Sequence, residues 1–119
     1  MVTKFEDLPP QVQNQLRQLQ QLQQQMELLL QQKLQVEIRL RDTKDALEEL
    51  NKIEENAQVY KGVGNLIIKS EKSKLIKELQ EEKESLEIRK KTMESQEHRL
   101  KEKINELQSK IQEALKPTQ

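Results

Sequence analysis

An apolar residue returns at alternating steps of three and four through two long stretches of this chain, and that rhythm limits the possible folds more than any other feature. Stepping from Val12, the inner positions are Val12, Gln15, Leu19, Leu22, Met26, Leu29, Lys33, Val36, Leu40, Thr43, Leu47 and Leu50, of which nine are apolar. The same walk through the second half gives Ile76, Leu79, Lys83, Leu86, Lys90, Met93, Glu97, Leu100, Ile104, Leu107, Ile111 and Ala114, again nine apolar of twelve. Each segment therefore reads as a helix that buries one narrow seam against another helix. At about 1.5 Å per residue, a helix of about 43 residues would extend roughly 65 Å.

The periodicity also decides between order and disorder. A chain with 35% charged and 2% aromatic residues has the composition of a disordered protein, but unpatterned sequences do not hold a seam of leucines. With only 33% hydrophobic residues in 119, an ordinary globular core is excluded, and most enzyme folds with it. The chain has no Cys and one His, so it offers no disulfide, no thiolate metal site and no nucleophile paired with a base. Neither a metal nor a cofactor is expected, and His98 reads as a solvated side chain. Twenty-one Lys and Arg balance 21 Asp and Glu, which argues against a dedicated nucleic-acid binder. No apolar run reaches the roughly 20 residues of a membrane span and no secretory signal opens the chain, so a soluble cytoplasmic protein is expected.

Punctuation marks the segment ends. Leu8-Pro9-Pro10 suits a helix start, because proline forfeits an N–H that the first turn would leave unpaired, and the residue before it is pushed out of the α region. Pro117 stops the second helix, and Ser73 is a candidate to cap its beginning. Between the segments, residues 57–70 hold both glycines, the only tyrosine and a β-branched cluster. Gly64-Asn65 between Val63 and Leu66 fits a two-residue hairpin turn. The expected organisation of residues 1–119 is one subunit: a flexible lead-in over 1–8, a helix over 9–54, a β-hairpin over 57–70 and a helix over 73–116.

A chain reversal makes the flanking helices antiparallel. Pairing Leu19 with Leu107, Met26 with Leu100, Leu40 with Leu86 and Leu47 with Leu79 sums to 126 each time, and so do Pro9 and Pro117. A lone hairpin is marginal in water, and this one carries Val59, Tyr60, Val63, Leu66, Ile67 and Ile68 with no third strand to cover them. These six residues are the candidate oligomerisation surface. The fold class is mainly α: a long antiparallel two-helix coiled coil with a central β-hairpin that joins hairpins of other chains in an intersubunit β-barrel.

Helix, single hairpin and helix in this order resemble the prefoldin family, and within it the beta-type subunit of archaea. The residues that carry the resemblance include Leu8-Pro9-Pro10-Gln11-Val12-Gln13, Ala46-Leu47-Glu48-Glu49-Leu50, Val59-Tyr60-Lys61 with Val63-Gly64, and Leu86-Glu87-Ile88-Arg89. It implies an ATP-independent chaperone subunit, partnered by an alpha subunit in a hexamer of two alpha and four beta chains. It further implies capture of unfolded client proteins and their transfer to a group II chaperonin, with no membrane or nucleic-acid partner.

Client binding is expected where the coiled coil ends and cannot cover its own apolar groups. Phe5, Leu8, Val12, Leu16, Ile111 and Leu115 are the candidates, although Val12 and Ile111 also fit the seam. The 12 glutamines between Gln11 and Gln35 read as solvated helix faces, because leucines at heptad spacing run through them. Lys69, Lys72, Lys74 and Lys77 crowd the hairpin exit without interleaved aromatics, which is weak grounds for an acidic partner. A coiled-coil tether would explain the heptads equally well, but not the hairpin chemistry.

Overall fold

The computed structural model describes residues 4–116. Helix α1 spans Pro10–Lys52, strand β1 Val59–Val63, strand β2 Leu66–Ser70 and helix α2 Lys72–Leu115. The described chain divides into two compact units, one holding the residues up to Gln32 and from Met93, the other Lys33–Thr92. In both, a length of α1 packs against a length of α2.

In the terminal unit the buried side chains are Val12 and Leu29 from α1 and Leu107 and Ile111 from α2. All four are inner positions of the heptad walk. The chain reaches α1 through a 3-10 turn at Phe5–Asp7, after which Leu8 is extended at φ −76 and ψ 151, as the residue before a proline should be. Pro10 is the first helical residue, and the N–H of Gln13 donates to the Pro9 carbonyl at 3.0 Å. The amide of Gln13 reaches back, donating to the carbonyls of Leu8 at 2.9 Å and Glu6 at 3.3 Å. The lead-in expected to be flexible is thus folded from Phe5 onward, its carbonyls held by the helix it precedes. The expected stop at Pro117 lies outside the described residues.

In the hairpin unit the core consists of Val36, Leu40, Thr43 and Leu47 from α1 with Leu75 and Leu86 from α2. Leu40 and Leu86, which the sequence reading pairs, are both buried. Thr43 is tolerated in the seam because its hydroxyl donates to the Arg39 carbonyl one turn back, at 2.8 Å. Arg39 itself pairs across the helices with Glu82 at 2.9 Å.

Two sequence expectations are corrected at the hairpin. Helix α2 begins at Lys72, one residue before the expected start, so Ser73 lies inside the first turn and the N–H of Leu75 donates to the Glu71 carbonyl instead. The reason is Lys72: its ammonium donates to the Ile53 carbonyl at 2.9 Å, which fixes where α2 leaves the hairpin. The inner walk is also offset there, since Leu75 is buried and Ile76 only half-buried. Leu75 lines a cavity together with Val59 and Tyr60 of β1.

Candidate functional site: hairpin faces and terminal apolar groups

The strands pair antiparallel, from Val59 opposite Ser70 to Val63 opposite Leu66. Gly64 takes φ +57, and no other residue with positive φ occurs among the described residues, which is the pattern of a type II′ turn with glycine first. A two-residue turn makes Val63 and Leu66 a hydrogen-bonded pair. The main-chain groups of Tyr60 and Gly62 on β1, and of Ile67 and Lys69 on β2, therefore point outward at the two open edges.

Alternation assigns the side chains to faces. One face carries Val59, Lys61, Val63, Leu66 and Ile68, and Lys61 turns it toward α2 by an ion pair with Glu78 at 2.9 Å. That hydrogen bond from Lys61 holds the Glu78 carboxyl below its ordinary value; desolvation opposes it, and the charges of Lys61 and Lys74 add to the lowering. The other face carries Tyr60, Ile67 and Lys69, and the Tyr60 hydroxyl donates to Oε1 of Gln58 at 3.2 Å. Both faces carry exposed apolar residues. Ile67 is 79% exposed, and Tyr60, Val63, Leu66 and Ile68 are all exposed, while Val59 is half-buried. Alongside β1 lies a cavity of about 570 Å³ bounded by Ala46 and Leu50 of α1, Val59 and Tyr60 of β1, and Leu75 and Leu79 of α2.

The terminal candidates divide by burial. Phe5, in the 3-10 turn, is 41% exposed with the guanidinium of Arg17 at 5.5 Å from its ring centroid. Leu115 is 50% exposed at the last helical position, and Leu8 and Leu16 are half-buried. Val12 and Ile111, by contrast, are 1% and 7% exposed. They belong to the seam and offer no surface to a ligand. This corrects their assignment to a client site: the heptad still closes over these two positions.

Sequence reasoning passed over five exposed apolar residues, Leu28, Leu30, Leu34, Ile38 and Ile88. The signal was present in Leu28-Leu29-Leu30, because three consecutive helical residues cannot all face one seam.

A family model described as a prefoldin subunit matches residues 13–117, nearly the whole chain. The chain belongs to the prefoldin subunit family. It is 53% identical to a prefoldin subunit beta of Archaeoglobus fulgidus, covering 93% of this chain and 96% of that protein. With a prefoldin subunit beta of Thermococcus onnurineus it shares 50% identity over 96% of this chain and 98% of the relative. Among solved structures, the crystal structure of the prefoldin beta subunit from Thermococcus strain KS-1 matches with a TM-score of 0.85 at 47% identity, over 92% of this chain and 96% of that one. Membership makes this a prefoldin chaperone subunit of beta type, with two long helices packed together and one antiparallel hairpin between them in sequence. No helix among the described residues is long and apolar enough to cross a membrane.

Proposed function

We propose that this prefoldin chain is one of four beta-type subunits that join two alpha subunits in a cytoplasmic, ATP-independent chaperone. The hexamer holds unfolded client proteins and passes them to a group II chaperonin. Exposure of the hairpin carries the assembly part of this reading. A two-stranded sheet with apolar residues on both faces and open main-chain groups on both edges is stable only when other strands cover it. Hairpins of neighbouring subunits supply that cover, and the cavity beside β1 gives an incoming strand an apolar floor.

Client contact falls to the exposed and half-buried terminal groups Phe5, Leu8, Leu16 and Leu115. Apolar side chains there hold a non-native segment without reading its sequence. Several subunits acting on one client turn weak contacts into avidity.

The test is to mix the chain with a two-hairpin partner subunit, size the product by light scattering and assay aggregation of a denatured client without ATP. A hexamer-sized species that suppresses aggregation is expected. Charging Tyr60 and Ile67 should leave helical but separate subunits, whereas Phe5→Ser, Leu8→Ser and Leu16→Ser together should leave the hexamer and remove protection. A dimer inert toward the client would select a structural tether instead.

A further inference from the structure

A groove of about 340 Å³ lies in the terminal unit, between residues 25–32 of α1 and 96–103 of α2. Its floor is the seam itself, with Leu29 buried and Leu100 half-buried. Leu28 stands at its border, 57% exposed, because the residue before a seam leucine is turned about 100° away from it. Three amides rim the groove: Gln25 and Gln32, one heptad apart on α1, and Gln96 on α2. Two cations, Arg99 and Lys103, complete the rim one turn apart on α2. Among the described residues these five polar side chains make no hydrogen bond or ion pair. Glu102, which precedes Lys103, lies 3.0 Å from Nε2 of His98.

Both cations are therefore open to an incoming acidic group. Exposed leucine, unpaired cations and uncommitted amides converge on one depression. Each has a complementary group on an extended polypeptide. An aliphatic side chain covers Leu28 and the groove floor. A carboxylate accepts from the guanidinium of Arg99 and the ammonium of Lys103. The amides can donate to main-chain carbonyls and accept from main-chain N–H groups whatever the side chains are.

We propose that this groove is a second client-binding site, selective for extended segments in which a leucine-sized apolar side chain is followed closely by a carboxylate. The proposal rests on the chaperone reading above and adds a charge preference to it. The terminal apolar groups bind by hydrophobicity alone, while the groove discriminates. It also gives part of the glutamine tract a role that its solvated-face reading left empty.

The test uses the complex assembled with the two-hairpin partner and three fluorescein-labelled peptides of equal length, read by fluorescence anisotropy. One peptide carries leucines flanked by Glu, the second the same leucines flanked by Lys, the third Ser in place of Leu with Glu retained. The Leu-Glu peptide should bind about tenfold more tightly than the Leu-Lys peptide, a difference of about 1.4 kcal/mol, and should weaken with added salt. Arg99→Gln with Lys103→Gln should remove the preference, and Arg99→Glu with Lys103→Glu should reverse it. Leu28→Asp should weaken the Leu-Glu peptide while sedimentation and helical circular dichroism stay unchanged. Equal binding of the acidic and basic peptides by the wild type, or a preference that survives both double variants, overturns the groove and leaves the chaperone reading standing. If the wild type binds none of the three, both are overturned.

Discussion

The ammonium of Lys72 donates to the main-chain carbonyl of Ile53 across the base of the hairpin, at 2.9 Å. One side chain thereby satisfies a carbonyl just beyond the end of α1, places a cation at the negative end of that helix and sets the first residue of α2. Its side chain is only 13% exposed, and Glu55 lies 3.8 Å from the ammonium.

Replacing Lys72 by Ala should therefore cost more than a surface lysine does. Loss of a charge-assisted hydrogen bond in a mostly dry position is worth about 1.5–3 kcal/mol, against about 0.5 kcal/mol or less for an exposed site. Urea unfolding of Lys72→Ala and of the exposed control Lys101→Ala gives the comparison. Equal midpoints would show that Lys72 does not set the junction.

Acid should release the hairpin from α2. The Glu78 carboxyl titrates below its ordinary value of 4.5 in the folded chain, chiefly through the hydrogen bond from Lys61. A folded value under the unfolded one means that the ion pair's contribution is complete above 4.5 and is lost as pH falls through the lower folded midpoint. Carboxyl carbon shifts followed by NMR should show the depressed midpoint, and Lys61→Ala should bring it back toward the ordinary value. A midpoint unchanged by Lys61→Ala would assign the shift to another cause.

Gln15 occupies an inner position of the terminal unit, where its side-chain oxygen is buried with no hydrogen-bond partner among the described residues. A stranded polar atom of this kind costs about 1–3 kcal/mol. Gln15→Leu fills the same space without that penalty, so it should raise the thermal midpoint and stabilise the chain by at least about 1 kcal/mol. A lower midpoint would mean that the amide is satisfied in solution.

Much of the fold was legible because it follows from local rules. Leu40, Leu47, Leu86 and Leu107 are buried where the heptad walk puts them, and Gly64 takes the positive φ that its place in a two-residue turn demands. The errors are equally specific. Ser73 looked like a cap by residue type, but the start of α2 is set by Lys72, whose partner lies 19 residues back. Val12 and Ile111 fitted two roles, and only their burial separates seam from surface. Leu28 was invisible to a walk that follows seam positions, because its exposure matters only once Arg99 and Lys103 stand beside it.

The sequence by itself determined two heptad helices and the turn between them, since periodicity and glycine chemistry act over a few residues. Only the tertiary structure decided which apolar groups remain available to a partner. Exposure is a property of everything packed around a side chain, and here the neighbours that bury Val12 or leave Leu28 and Ile67 open come in part from the other half of the hairpin or the other helix.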